Sequence, residues 1–276
     1  MIDKKFKINI PKNKCLYIIG FGDVHYNCDE SDQKHFEEML AFAANKKKAG
    51  HLVRFITFGD LADSMSTSER EKTRTLHDFT LDRFDEWAAQ IVTTLYEKAL
   101  KPFKGDFLGL IEGHHFLQFQ GGNYPKYIGA TNTKYLADLL ACTYLGTCGY
   151  VRLDLGDGVK WEIVGHHGVG AGQTRNARIL KRKRFGEAFP NANAVMIGHD
   201  HDLFIEPEQG IGIDDGGMHG ITRYYCATGS YLRGYILGKE RGTYVEAGMY
   251  KPTQLGSVAF ELRKENKKLE ISPIIL

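Results

Sequence analysis

The chain has 276 residues, of which 36 are Lys or Arg and 34 are Asp or Glu, so its formal net charge at pH 7 is +2. That balance excludes a protein that coats nucleic acid through net positive charge, although a local basic patch remains compatible with it. Apolar residues make up 42% of the chain and aromatic residues 12%, which suits a large core and excludes a disordered chain. Because the chain contains no Pro/Ser-rich linker, we expect one domain over residues 1–276.

Five cysteines, an odd number without a C-x-x-C pair, do not predict a disulfide framework or a zinc ribbon. The first residues are charged and have no apolar segment behind them, so they do not predict a secretory signal. Apolar stretches such as residues 15–21 are far shorter than the roughly 18 residues that a membrane span requires. We therefore expect a cytoplasmic protein without a membrane partner.

In the first half, short apolar runs alternate with amphipathic helices, which is typical of βαβ units. Residues 15–22, 52–58 and 106–112 are predicted to be strands. Apolar residues recur at helical spacing after the first of them, at Phe36, Met39, Leu40 and Ala43. A longer helix is predicted after the second strand, and the stripe expected to face the core comprises Phe84, Trp87, Ala88, Ile91 and Leu95.

After a further helix over 132–141, the second half is richer in predicted strands. Residues 150–155 and 160–164 are predicted to form a hairpin, and residues 175–189 are predicted to form a helix. The other predicted strands are 194–197, 224–227, 257–262 and 269–272. Two segments stay open: 64–72 as a lid or a helix start, and 208–221 as a mobile loop or a strand connection. Together these elements predict two sheets, each backed by helices.

Seven of the eleven histidines lie in short glycine-containing loops directly after predicted strands. In open α/β sheets, ligands bind beyond the carboxyl ends of the strands. The loops are 22–25, 59–63, 113–115, 165–168 and 198–201. A single Asp or His after a strand is usually a cap or turn residue, but that explanation does not account for five such loops together.

Two aspartates and several histidines supply enough oxygen and nitrogen donors for two divalent metals, with one carboxylate bridging them. Metals roughly 3.5–4 Å apart can clamp both oxygens of an in-line phosphoryl displacement. They also lower the pKa of a bound water from about 15.7 toward about 7. The set of loops therefore predicts a two-metal centre.

In this order, the five loops resemble the calcineurin-like metallophosphoesterase superfamily, whose pattern is D-x-H, G-D, G-N-H-[DE], H-G and G-H-x-H. The resemblance extends from Asp23 to His201, and the Gly-Ser turn within residues 228–230 is a weaker sixth match. It implies a two-sheet α-β-β-α sandwich with the active site at the carboxyl ends of the strands. It also implies a phosphoric ester hydrolase in which a hydroxide bridging two metals attacks phosphorus.

By matching position, the resemblance implies metal ligands. The first ion would be bound by Asp23, His25 and His201, and Asp60 would bridge both ions. The second ion would be bound by His114, His167 and His199. His166 remains a reserve ligand or a substrate-facing residue, because sequence alone does not distinguish it from its neighbour.

The residue that the resemblance makes catalytic is His115, which would protonate the leaving oxygen rather than bind metal. Asp63 matches a second acidic position that is frequent in the family, and both an orienting role and a helix-cap role remain open for it. Where the family has an acid after the catalytic histidine, this chain has Phe116, so the orienting partner of His115 is unassigned.

The chain has His114 where the family has Asn. Imidazole is a softer donor than an amide oxygen, which favours Mn²⁺, iron or Zn²⁺ over Mg²⁺ or Ca²⁺. We expect two divalent ions, Mn²⁺ first, with iron or Zn²⁺ as alternatives.

The substrate is expected to be a phosphate ester, with phosphodiesters, and nucleic acid among them, preferred. Arg175, Arg178 and Arg182 share one face of a predicted helix close to the metal-binding loops, which would suit a polyanion. A solvated basic face without function is an equally weighted interpretation of these arginines. The alternatives are a phosphomonoesterase acting on a phosphoprotein or small ester, and a catalytically inactive scaffold with this fold.

Overall fold

The computed structural model describes residues 1–66, 78–121, 123–170, 172, 174–214, 217–240 and 242–276. Its strands in chain order are β1 (Ile2–Lys7), β2 (Leu16–Phe21), β3 (Leu52–Phe58), β4 (Phe107–Ile111), β5 (Tyr144–Gly146), β6 (Cys148–Asp154), β7 (Lys160–His166), β8 (Ala194–Ile197), β9 (Leu203–Asp214), β10 (Gly217–Thr228), β11 (Val258–Glu265) and β12 (Lys268–Ile275). Its helices are α1 (Gln33–Lys48), α2 (Asp78–Leu95), α3 (Asn132–Leu139), α4 (Arg175–Glu187) and α5 (Tyr244–Ala247). A π-helical turn (Tyr96–Leu100) and two 3₁₀ turns (Lys101–Phe103 and Pro125–Tyr127) complete the helical elements of the described residues.

The strands form two six-stranded sheets. One has the order β12-β11-β2-β3-β4-β5, in which β2 to β5 are parallel and β11 and β12 are antiparallel additions. The other has the order β1-β6-β7-β8-β10-β9 and mixes parallel with antiparallel pairs. All five strands that precede the motif loops are central strands of these sheets, so their carboxyl ends are well placed to build a site.

Alternate side chains of β2 enter two different cores. Leu16 and Ile18 pack in the core between the sheets, whereas Tyr17, Ile19 and Phe21 pack in the core that includes α1 and α2. Successive side chains of a strand point to opposite faces, so a strand covered on both faces must be apolar throughout. This explains the continuous apolar run in the sequence.

The layers follow from these cores. The core between the sheets includes Trp161 of one sheet and Phe260 of the other, with ring centroids 5.1 Å apart. A smaller cluster with Val195 and Phe185 packs β8 against α4. The predicted α-β-β-α sandwich is therefore confirmed.

Local sequence accounts for the helices that carry this packing. Helix α1 begins where the Asp32 carboxylate accepts a hydrogen bond from the backbone N–H of His35. All four residues of its predicted apolar face are buried: Phe36, Met39, Leu40 and Ala43. Helix α4 begins at Thr174, whose hydroxyl accepts from the N–H of Ala177.

The structure departs from the predicted elements in several places. Residues 208–214 and 217–221 belong to the antiparallel strands β9 and β10, and the strands over Ile2–Lys7 and Tyr144–Gly146 were not predicted. Trp87 was predicted to face the core, yet 36% of its surface is exposed. Most of the segment left open as a lid or helix start, residues 67–72, lies outside the described residues.

Two global expectations concern cysteines and membranes. All five cysteines are free, as their spacing predicts. Among the described residues, no helix combines the length and apolarity needed to cross a bilayer.

Candidate metal centre

The five motif loops are tied to one another by hydrogen bonds. The N–H of Asp23 donates to the carbonyl oxygen of Gly59, and the N–H of His25 donates to that of Asp60, both at 2.9 Å. The N–H of His199 donates to Oδ2 of Asp23 at 3.0 Å. Loops after three strands of two different sheets are thereby fixed to one another before any side chain binds a ligand.

Five residues of these loops adopt left-handed backbone conformations, which L side chains with a Cβ rarely do. They are Asp23, His25, Asp60, His199 and His201, with φ between 48° and 68°. Such conformations cost free energy and persist where the surrounding structure imposes them, often at functional sites. Here they turn each side chain from the end of its strand toward the common centre.

Two glycines allow the loops to approach closely. A Cβ on Gly113 would lie 2.0 Å from Oδ1 of Asp60, and one on Gly59 would lie 2.5 Å from Nδ1 of His167. Gly59 also has φ of +90°, a region that favours glycine. Both glycines are therefore required by geometry, one beside each partner of the Asp60–His167 contact.

The first cluster combines Asp23, His25 and His201, whose potential ligand atoms all lie within 4.8 Å of one another. Nε2 of His201 is 3.3 Å from Oδ1 of Asp23, and Nε2 of His25 is 4.0 Å from the same oxygen. Asp23 is completely buried, as is most of His25. One carboxylate oxygen and two imidazole nitrogens thus point at a common position.

The second cluster combines His114, His167 and His199, again within 4.8 Å. Nδ1 atoms of His114 and His199 are 3.3 Å apart, and the rings of His114 and His167 meet edge to face at 4.6 Å. Nδ1 of His167 donates to the carbonyl oxygen of Phe58 at 2.6 Å, which leaves Nε2 directed into the cluster. A backbone carbonyl on one ring nitrogen is the usual way to orient the other toward a metal.

Asp60 stands between the clusters. Its Oδ1 accepts the backbone N–H groups of His114 and His115 at 2.6 and 2.7 Å, and its Oδ2 lies 3.0 Å from Nε2 of His167. Asp60 also forms a group with Asp23 of the first cluster and His167 of the second. The Asp60 carboxylate therefore lies between the two clusters of potential ligands.

Buried atoms without hydrogen-bond partners test whether these residues suit a metal. Among the described residues, they include Oδ1 of Asp23 and Nε2 of both His25 and His167. The His167–Asp60 contact is close but is not aligned as a hydrogen bond. A buried polar atom without a partner is costly, and divalent cations would satisfy all three, so the donor set fits them.

Burial favours the neutral, metal-binding form of two of the three imidazoles in the second cluster. Burial and the positive charge of His167 lower the pKa of His199 to about 4, and burial with the same neighbour lowers that of His114. Burial opposes charge on His167 too, but the charge and contact of Asp60 outweigh it and raise its pKa to about 9. Burial opposes ionisation of Asp60, but the charge and contact of His167, together with the charges of His25 and His115, hold the pKa of its carboxyl well below the usual range. Without cations, a protonated His167 thus balances the buried carboxylates.

His115 has its own carboxylate. Its Nδ1 lies 2.6 Å from Oδ1 of Asp63, an oxygen that is also 3.8 Å from Nδ1 of His25. Burial opposes protonation of His115, but the hydrogen bond with Asp63 and the nearby charges raise its pKa. The orienting partner that the sequence left unassigned at Phe116 is therefore Asp63, which comes from a different loop.

Two minor motif residues also have definite places. Nδ1 of His166 accepts the N–H of Gly168 at 2.7 Å, and its ring packs beside Phe185, outside the groups of potential ligands formed by the described residues. Ser230 donates from its hydroxyl to the carbonyl oxygen of Asp23 at 3.0 Å. The weak sixth match thus supports the loop of the first cluster.

The basic helix differs from its prediction. Arg182 was expected on an outward face shared with Arg175 and Arg178, but its side chain is completely buried, so that expectation is wrong. Arg178 pairs with Asp202 at 3.1 Å, and Arg175 lies over the ring of Phe204 at 4.8 Å. The arginine pattern of α4 is therefore largely a packing pattern, because helical spacing alone does not reveal which face a neighbouring strand covers.

Arg182 instead supports the loop after β8. Its guanidinium donates to both carboxylate oxygens of Asp200 at 2.9 Å and to the carbonyl oxygens of Ile197 and Cys226. Asp200 lies between His199 and His201 in the chain, so the paired hydrogen bonds from Arg182 hold the residue that separates two potential ligands. Nothing in the sequence beyond the two charges indicates this pair.

We expect Arg182→Met to lower the free energy of unfolding by about 3–5 kcal/mol, because it leaves the Asp200 carboxylate buried without its partner. Urea unfolding of the metal-free protein measures this. The matched control is Arg152→Met, which breaks an exposed pair with Asp3 and should cost about 1 kcal/mol or less. Equal losses in the two variants would contradict the proposed support.

No family model and no curated protein matches the chain. Similar solved structures include a predicted phosphoesterase from Streptococcus pneumoniae, at 11% identity and a TM-score of 0.34, with 94% of this chain and 88% of that one covered. Another is an NAD nucleotidase from Haemophilus influenzae, at 12% identity and a TM-score of 0.42, with 96% of this chain and 51% of that one covered. A third is a 5'-nucleotidase from Candida albicans, at 10% identity and a TM-score of 0.37, with 97% of this chain and 53% of that one covered. The chain spans about half the length of the last two.

Similarity at this level adds no argument about activity, and the case for function depends on the site. Five loops at the carboxyl ends of strands from both sheets meet in one cluster of aspartates and histidines. In the order of these loops, the chain resembles the calcineurin-like metallophosphoesterases.

Proposed function

We propose that this chain is a metal-dependent phosphoesterase whose centre holds two divalent ions. The observation that carries the proposal is the meeting of two clusters of buried and half-buried potential ligands, with the carboxylate of Asp60 between them. Carboxylates and neutral imidazoles together suit Mn²⁺, with iron and Zn²⁺ as alternatives. Two such ions, when bound, neutralise charge on phosphoryl oxygens and make hydroxide available from water near neutral pH.

The proposed assignment follows the two clusters. Asp23, His25 and His201 would hold one ion, and Asp60 would contact both. The other ion would be held by His114, His167 and His199. His114 is thus proposed as a ligand in place of the family's Asn, an assignment supported by its contacts with two other imidazoles.

His115 is proposed to deliver a proton to the leaving oxygen. Asp63 accepts the hydrogen bond from Nδ1, which leaves the Nε2 proton for the substrate. Burial opposes ionisation of Asp63, but its contacts with His115 and His25 keep the pKa of its carboxyl well below the usual range. Asp63 therefore remains an anion at neutral pH and stabilises the protonated imidazole.

Within this class we propose a phosphodiesterase, with a phosphomonoesterase as the alternative. The diester preference is supported by the motif resemblance, because the superfamily that the motifs resemble includes nucleases. The basic helix no longer supports it, because Arg182 is buried and Lys181 donates to the carbonyl oxygens of Val169 and Gly170.

The proposal predicts hydrolysis of bis-p-nitrophenyl phosphate by metal-free protein to which Mn²⁺ is added, rising until two ions per chain are bound. Rates on this diester and on p-nitrophenyl phosphate should be compared while bound metal is counted by elemental analysis. Faster monoester cleavage would replace the diester proposal with its alternative. Protein that binds no metal and hydrolyses neither ester would instead support the inactive scaffold.

A further inference from the structure

A groove of about 520 Å³ opens between the loop after β2 and helix α2. One wall is formed by the loop that begins at Tyr26, directly after His25. The other is a helical stripe at spacing i, i+3, i+4 and i+7, formed by Trp87, Gln90, Ile91 and Thr94. Its volume falls within the range of small-molecule sites.

The groove adjoins the candidate metal centre. Tyr26 accepts a hydrogen bond at its carbonyl oxygen from the N–H of Asp63, the carboxylate that orients His115. On α2, Ile91 lines the groove, whereas the next residue, Val92, lines a small cavity together with Asp60 and His115. The groove therefore borders the same loops that form the metal centre.

The lining indicates what that group is. Asp29 and Lys98 contribute one charge of each sign, so the groove offers no excess of positive charge for a nucleic-acid backbone. The indole of Trp87, held edge-on by Phe84 at 6.5 Å, provides an exposed aromatic surface. Beside it, the amides of Asn27 and Gln90 offer both donors and acceptors.

We propose that this groove binds the uncharged aromatic group of a small phosphate ester, such as the base of a nucleotide, by stacking on Trp87. The substrate class rests on the proposed phosphoesterase function, whereas the binding of the aromatic group does not. The position of Trp87 supports the proposal, because 36% of its surface stays exposed beside the groove, although Ile91 on the same stripe is buried in the core.

The first test needs no activity. The chain has two tryptophans, and Trp161 is completely buried, so Trp87 dominates quenching from solvent. We expect adenosine, which carries no phosphate, to quench the intrinsic fluorescence saturably, and Gln90→Ala to weaken this binding several-fold. The exposed control Leu237→Ala should bind as the unaltered chain does. Absence of saturable quenching up to the solubility of adenosine would overturn the proposal.

The second test separates stacking from a structural effect. With Mn²⁺ bound, Trp87→Ala should raise KM for aromatic esters about tenfold, given the usual contribution of base stacking, and leave kcat unchanged. KM for an ester of the same type without an aromatic group should not change. An equal rise for both esters would overturn the proposal. Fluorescence binding without hydrolysis of any ester would refute the phosphoesterase proposal but preserve the aromatic site.

Discussion

Asp60→Asn is expected to reduce hydrolysis by roughly 10³-fold or more and to weaken binding of both ions. An amide keeps the shape of the side chain but removes the charge that lies between the two clusters. Several kcal/mol of electrostatic stabilisation are at stake, and each 1.4 kcal/mol corresponds to a factor of ten in rate. Steady-state kinetics together with calorimetric titration of Mn²⁺ measures both effects.

The control is the same substitution at Asp157, which lies in the turn between β6 and β7 and bonds Lys264 at 2.7 Å. It should leave both metal binding and hydrolysis unchanged. Asp60 also accepts the N–H groups of two adjacent histidines, so far-ultraviolet circular dichroism must show that the variant is folded. A folded Asp60→Asn protein with full activity would refute the two-metal proposal.

His115→Ala is expected to reduce kcat by about 10²–10⁴-fold while the protein still binds two ions. General acid catalysis accounts for that range, and His115 belongs to neither of the two principal clusters, although its ring packs edge to face against His25 at 4.7 Å. Asp63→Asn should reduce kcat in the same direction but less, because the imidazole remains while its charge partner is lost. His35→Ala, on the exposed side of α1, is the matched control.

Metal content decides how the His115 result is interpreted. If His115→Ala loses an ion, His115 is a ligand, and the roles given to His114 and His115 must be exchanged. The group formed by His25, Asp63 and His115 makes this a real alternative, because their potential ligand atoms also lie within 4.8 Å of one another. An unchanged kcat would remove His115 from the catalytic step.

Local information in the sequence was sufficient to predict most of the layers. The apolar face of α1, with Phe36 and Ala43, and the continuous apolar runs of β2 and β3 each record which sides of an element are covered. The motif loops were equally readable, because each follows a strand directly. Since carboxyl ends of strands in a sheet meet at one edge, their convergence could be expected from order alone.

The tertiary structure decided which side chains of the motif loops contact one another. His166 and His167 are adjacent, and only the contacts of His167 with Phe58 and Asp60 distinguish them. Asp63 and His115 are separated by 52 positions along the chain, so their pairing could not be read from either loop.

The two misassigned side chains have the same physical cause. Helical spacing predicts which residues share a face, but the neighbouring element determines whether that face is buried. Arg182 is covered by the carbonyl groups of β8 and β10 and by Asp200, whereas Trp87 borders an open groove. The sequence by itself determined most of the elements, the layers and the set of metal-binding residue types. Contacts between elements distant in sequence decided their partners, because burial depends on what packs against a face.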